Sequence, residues 1–356
     1  MGTPLTPDIV ADPVALTRAL VDIESVSGNE QEIADAVEQV LVQVPHLSVE
    51  RLGHTLMART ELGRAQRVVL AGHLDTVPIA DNLPSTVDGD LMYGCGTSDM
   101  KSGTALALHL AVTAPDPRYD VTYLFYEAEE VEAERNGLTQ VARHRAHWLT
   151  ADFAILLEPT YGRVEAGCQG TMRVRVTTAG RRAHSARSWL GRNAIHAAGA
   201  ILRQLDTYVA REVTIDGCTY REGLNAVQIA GGVAGNVIPD RCEIDVNYRF
   251  APDRSPAQAL DHLREVFDGV DVELVDSAPG ALPGLTAAPA QEFIAAVGEA
   301  PAAKLGWTDV SRFAAAGVPA LNFGPGDPNL AHTREEHVEI SRIRAGAEVL
   351  RGWLVG

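Results

Sequence analysis

Three short apolar runs in the first half of the chain each end in side chains that can bind metal. VVLAGHLD reads as a buried strand over residues 68–71 that stops at Gly72 and carries His73 and Asp75 past its end. VTYLFYEAEE sets Glu129 and Glu130 after a strand over 121–126, and FAILLEP sets Glu158 after one over 153–157. Apolar runs of this length, alternating with helical patterns, predict parallel strands buried on both faces. In such sheets, sites collect beyond the carboxyl ends of the strands. Helical spacing marks residues 12–23 and 29–44, the second with Asn29 as a plausible cap, and strand character marks 49–59. Residues 78–96, dense in Pro, Gly and Asp, predict a long functional loop. Its end, GCGTSDMKSG, leads into an apolar helix over 104–112, so that Asp99 stands just before a helix begins.

Beyond Glu158 the pattern changes. MRVRVTT, AVQIAGG and EIDVNYRF alternate as half-exposed strands, while 193–205 and 256–267 are amphipathic helices and 270–275 a further strand. This predicts a separate α+β sandwich over 167–277, closed by the Pro/Gly-rich run SAPGALPG at 277–284. Residues 278–356 return to α/β style, with helices over 289–297 and 340–354, the segment TDVSRFAAAG and a short strand in PALNF. The expected organisation is an α/β, mostly parallel-sheet domain formed by 1–166 and 278–356, with the sandwich inserted into it.

A length of 356 residues fits two domains better than one. The net charge of −17 argues against nucleic acid and anionic membrane as partners, because both need clustered Lys and Arg. Cys95, Cys168, Cys218 and Cys242 lie far apart with no CxxC pair, which suits a reducing cytoplasm better than a disulfide framework. No stretch approaches the ~18 apolar residues of a membrane helix, and the start of the chain lacks a signal-peptide pattern, so a soluble, unexported protein is expected. Gly2 with Thr6 matches a myristoylation pattern that two nearby prolines mark as chance.

His73, Asp75, Asp99, Glu129, Glu130, Glu158 and, from GPGDPNLAH, His332 form the candidate chemistry. Any one of these carboxylates could cap a helix or face solvent, and either histidine could sit in a loop. Together they suit a first-row divalent metal, zinc by ligand type, with iron, manganese or cobalt as alternatives. Adjacent residues of extended chain point opposite ways, so one of Glu129 and Glu130 should bind metal and the other act on water. Rival motifs fail: GCGTSD has Asp99 where a dinucleotide fingerprint needs glycine, and there is no Walker lysine, GxSxG or HExxH. Cys95 reads as a small residue in a tight turn, and His144 and His147 as the solvated face of one helix.

GHLDTVP, GCGTSDMKSG, the EE pair, LEPT and AHTREEH, in this order and spacing, resemble the two-metal M20 amidohydrolase family, and AHSARSWLGRNAIH and GNVIPD extend the match through the inserted domain. The resemblance implies two Zn2+ per subunit, replaceable by Co2+ and bridged by Asp99, with His73 and Glu158 completing one site and Glu130 and His332 the other. It further implies that Asp75 orients His73, that Glu129 is the general base, that the Asp99–Met100 peptide is cis, and that the inserted domain is a lid and dimer interface whose His184 reaches the partner subunit's site. The implied activity is hydrolysis of the succinyl amide of N-succinyl-LL-2,6-diaminopimelate, in diaminopimelate and lysine biosynthesis. N-acetylornithine deacetylation, or aminoacylase or dipeptidase activity, is the alternative, and a metal-stabilised binding module without catalysis the remote one. Arg249, Asn236 and Arg187 are candidates for holding the substrate's carboxylates, with a surface ion pair as the other reading of Arg249. Two positions depart from the family pattern. Ala128 stands where Asp often precedes the Glu pair, and Arg187, Ser188 and Trp189 replace a Met-Pro type sequence after His184.

Overall fold

In the computed structural model, which describes residues 5–356, the three apolar runs lie side by side in one sheet. The strand Arg67–His73 pairs in parallel with Asp120–Tyr126 on one side and with Phe153–Leu156 on the other. Ala320–Asn322 adds a fourth parallel strand beside Phe153–Leu156. Register decides what the ends present: His73 is level with Tyr126, and Ala71 with Leu156, so Glu129, Glu130 and Glu158 emerge near His73. The region read as strand over 49–59 is a hairpin, Ser48–Leu52 and Thr55–Arg59, that turns at Gly53 and extends the sheet antiparallel. Gly2 lies outside the described residues.

Buried side chains on the strands, among them Leu70, Tyr123 and Phe125, join the helices in one core. The helix Ser102–Thr113 is buried from Ser102 through Ala111, because the sheet and the helices Pro13–Val21 and Ile340–Val355 all pack on it. A helix covered on several sides has no use for a polar face. Its start is pressed against the sheet: Thr104 Oγ1 donates to the His73 carbonyl at 2.9 Å, and a Cβ at Gly103 would lie 2.0 Å from the Leu157 carbonyl oxygen. Gly103→Ala is therefore expected to cost about 1–3 kcal/mol through backbone overlap. A lower denaturant midpoint at unchanged slope would show it.

Local expectations fail at three places. The helix Gln31–Leu41 is preceded by Glu30, not capped by Asn29. Asn29 Nδ2 donates to Glu24, and Glu30 Oε1 accepts the Gly28 N–H. The loop at 78–96 contains the strands Thr86–Asp88 and Leu91–Tyr93, completed by His337–Glu339 from the far end of the chain. His144 and His147 do not share a helix, since Gly137–His144 ends at Arg145 and His147 turns against the Trp148 ring.

The second unit comprises Gly167–Leu282 with Ala303–Trp307. Its antiparallel sheet runs in the order Gly223–Gly231, Arg241–Phe250, Gly170–Ala179, Asp271–Ala278. Alternate residues, including Val174, Val176, Ile244 and Val246, form a separate core with the helices Ala194–Asp206 and Pro256–Val266. The Pro/Gly-rich run belongs to this unit as far as Leu282, because Cys168 and Ala281 exchange both backbone bonds, at 3.1 and 3.0 Å. Lys304 joins it by accepting the Gln169 N–H, and Trp307 by donating to the Pro279 carbonyl. All four cysteines are free and buried. Among the described residues no helix is long and apolar enough to cross a membrane.

Candidate metal centre

His73 ends its strand with its ring orientation fixed from behind. Nδ1 donates to the Asp75 backbone carbonyl at 2.9 Å, which leaves Nε2 to face the site, 3.2 Å from Asp99 Oδ1. An imidazole held in this way offers its second nitrogen as a metal ligand. The Asp75 carboxylate is farther from Nδ1, at 3.6 Å, and has other work. It accepts the N–H groups of Glu129 and Glu130, at 2.9 and 3.1 Å, and the Ser27 hydroxyl at 2.7 Å. Asp75 thus meets His73 through its backbone and the glutamate pair through its side chain.

The glutamate pair does not lie on extended chain. Ala128 takes a left-handed φ of 56°, and the bend places a ligand atom of both Glu129 and Glu130 in one cluster with His73. Asp99 occupies an irregular turn, Thr97–Lys101, that runs into the buried helix. Its peptide bond to Met100 is cis. From the opposite end of the chain His332, itself at φ 63°, brings Nε2 to 2.9 Å from Glu130 Oε1 and 3.4 Å from Asp99 Oδ2.

Two of the resulting groups share Asp99. Ligand atoms of His73, Asp99 and Glu158 lie within 4.8 Å of one another, as do those of Asp99, Glu130 and His332. Two imidazoles and three carboxylates, with no thiolate, make a donor set that fits zinc, cobalt or manganese. Charge is tightly interlocked here. Burial disfavours the imidazolium of His73, yet Asp99, Asp75 and Glu129 outweigh it and hold the ring's pKa well above its usual range. Hydrogen bonds to Asp99 and Glu130 raise His332 to about 10. Asp99 is held low against the effect of burial by the same two histidines. Burial first, and Asp309 next, push Glu129 well up.

Two buried acids near the cluster are not evident in the sequence. Asp309, from the segment TDVSRF, accepts a hydrogen bond from Asn136 Nδ2 at 2.9 Å and pairs with Arg312. Glu336 accepts three backbone N–H groups of residues 96–99. Spacing carries no signal for either role, because Asn136 lies 173 residues from Asp309 and the N–H groups that Glu336 accepts lie 237 to 240 residues from it.

The remaining candidates all belong to the second unit. Ala183–His184 pairs with Val237–Ile238, and Ser185 N–H donates to the Asn236 carbonyl at 2.9 Å, so His184 and Asn236 are neighbours. Arg187 follows on the exposed turn Ser185–Leu190. Arg249 is exposed on the strand Arg241–Phe250, opposite Gly223. Among the described residues neither guanidinium has a carboxylate partner, so Arg249 makes no surface ion pair.

Residues 69–355 match the family described as Peptidase family M20/M25/M40. A putative succinyl-diaminopimelate desuccinylase of Mycobacterium tuberculosis is 56% identical over 352 residues, 98% of this chain and 99% of that protein. A succinyl-diaminopimelate desuccinylase of Corynebacterium glutamicum is 50% identical over 367 residues, 99% of this chain and all of that one. Among solved structures, a Staphylococcus aureus tripeptidase superposes with a TM-score of 0.77 at 21% identity, over 97% of each chain. A dinuclear metal-binding M20 peptidase of Bacillus subtilis does so with 0.71 at 16% identity, over 98% of each. At these identities the structural matches speak for the fold.

Proposed function

Because the chain belongs to peptidase family M20, we propose that it is a metal-dependent amidohydrolase that cleaves N-succinyl-LL-2,6-diaminopimelate to succinate and LL-diaminopimelate. The observation that carries this reading is the identity of 56% and 50%, over essentially whole chains, to relatives bearing that name. The reaction would place the protein in diaminopimelate and lysine biosynthesis, in the cytoplasm.

His73, Asp99 and Glu158 would hold one cation, and Asp99, Glu130 and His332 the other. Bound zinc, or cobalt in its place, supplies a Lewis acid for the amide carbonyl and acidifies water near neutral pH. Glu129 takes a proton from the attacking water as its oxygen bonds to the carbonyl carbon. It then delivers that proton to the nitrogen as the C–N bond breaks, and the second proton of the water passes from the new carboxylic acid to the amine, which leaves a carboxylate and an ammonium group. Asp75 keeps the two glutamates in register by holding both backbone N–H groups. Arg249 and Arg187, which have no carboxylate partner among the described residues, and Asn236 suit a substrate with several carboxylates.

A homodimer through the second unit is part of this reading. The two edges of its sheet differ. Asp271–Ala278 carries Asp271, Glu273 and Asp276, whereas Gly223–Gly231 has no charge and exposes Val227 and Ile229. Charged edges repel a further strand, while an uncharged, apolar edge invites one. Ile195 and Leu202 on the helix Ala194–Asp206 extend the same apolar surface. These features support docking of a second copy at the uncharged edge.

Succinate release, measured beside N-acetylornithine and a dipeptide, tests the assignment. The succinyl substrate is expected to lead in kcat/KM by about 10²-fold or more, because a site built for a charged group rejects analogues lacking it. Faster turnover of acetylornithine would replace the reading by the deacetylase one. Metal analysis should find up to two ions per chain, and exhaustive chelation should abolish activity. A protein fully active without metal would overturn the metal assignment.

A further inference from the structure

Glu336 lies four residues beyond His332 and is only 2% exposed. Its Oε2 accepts the Gly96 N–H at 3.0 Å, and its Oε1 those of Ser98 at 2.9 Å and Asp99 at 3.0 Å. Local carbonyls take the neighbouring N–H groups: Thr97 donates to Gly94 and Lys101 to Gly96. The donors left over at the start of a helical segment, which need an outside acceptor, are met by this one carboxylate. The tail is stitched to the turn elsewhere as well. Gly94 N–H donates to the Glu336 carbonyl, Ser98 Oγ donates to the His337 carbonyl at 3.0 Å, and Asp327 N–H donates back to Ser98 Oγ at 3.1 Å. Contact is so close that a Cβ at Gly326 would lie 2.4 Å from the Ser98 carbonyl oxygen.

One of the three bonds is made by the backbone of Asp99, the residue common to both ligand groups. The segment that supplies the carboxylate also supplies His332. We infer that Glu336 is a positioning residue of the metal centre: by fixing the backbone of Asp99 to the tail that carries His332, it sets the spacing of the Asp99, Glu130 and His332 group and hence that group's affinity for its cation. This rests on the two-metal reading above. The bland alternative is a carboxylate that caps a helical segment and contributes stability alone.

Cobalt binding separates the two. Wild type, Glu336→Gln and Glu336→Asp are stripped of metal and titrated with Co2+, following visible absorption and bound metal, with circular dichroism as the check of folding. Glutamine presents an amide NH2 to a pocket lined by N–H donors, so one of the three bonds becomes a donor facing a donor. One of the two equivalents of Co2+, that of the Asp99, Glu130 and His332 group, is then expected to bind about 10–100-fold more weakly with an altered spectrum, the usual cost of losing an outer hydrogen-bond partner. The other equivalent, whose group would share Asp99 but not His332, should change far less. Glu336→Asp, charged but shorter by a methylene, should fall between. Equal weakening of both equivalents, or two equivalents with wild-type affinity and spectrum in Glu336→Gln, would overturn the inference. If Glu336→Gln does not fold, Glu336→Asp is judged by the same criteria. Wild-type protein that takes up no cobalt would overturn the metal reading itself, and this inference with it.

Discussion

Glu129→Gln is expected to keep its metal and lose about 10²–10⁴-fold in turnover, the range ascribed to a positioned general base. Glutamine has the size of glutamate and cannot take the proton. The backbone at this point is held independently of the side chain, since the Asp75 carboxylate accepts the N–H groups of Glu129 and Glu130. Glu130, in reach of His332 and Asp99, keeps its place in the ligand group. The measurement is kcat for succinate release, with metal content determined on the same sample. Retention of more than about a few per cent of activity would remove Glu129 from the role of base. Loss of metal together with activity would make it a ligand instead.

His184→Ala is expected to lower turnover by about 10²–10³-fold, the cost of removing one donor to a developing oxyanion. The side chain is exposed, and its Nδ1 accepts the Ala186 N–H at 3.1 Å. A neutral imidazole with Nδ1 as acceptor carries its proton on Nε2, so the ring presents a donor outward. If that donor serves the neighbouring chain's site, catalysis requires a dimer, and complementation tests it. Inactive His184→Ala chains are mixed with inactive Glu129→Ala chains and allowed to exchange. A mixed dimer should contain one site with an intact Glu129 and an intact His184 from across the interface, and should recover about half the activity of a wild-type dimer. Verified exchange without recovery would mean that His184 acts within its own chain or not at all.

What the sequence determined by itself is the set of strand ends and the ligand-type residues that follow them. A strand buried on both faces must be continuously apolar, so the runs ending near His73, Glu129 and Glu158 announce themselves without knowledge of their neighbours. The alternating strands of the second unit are legible for a different reason, because one face meets the core and the other does not. Tertiary structure decided what depends on partners distant in sequence. The region 78–96 gains strands only because His337–Glu339 returns to pair with it. Asn29 is not the cap because the helix begins one residue later, after Glu30, whose side chain accepts the Gly28 N–H, and the second unit extends to Leu282 because Cys168 and Ala281 bond to each other. In the metal centre the strand ends were readable, but the extended-chain rule for Glu129 and Glu130 fails at the bend of Ala128. The use of the Asp75 carboxylate to hold that pair, and of Glu336 to hold the Asp99 turn, was likewise hidden. Hydrogen bonds from a carboxylate to backbone N–H groups impose no pattern on the residues that donate them, so only the folded chain reveals them.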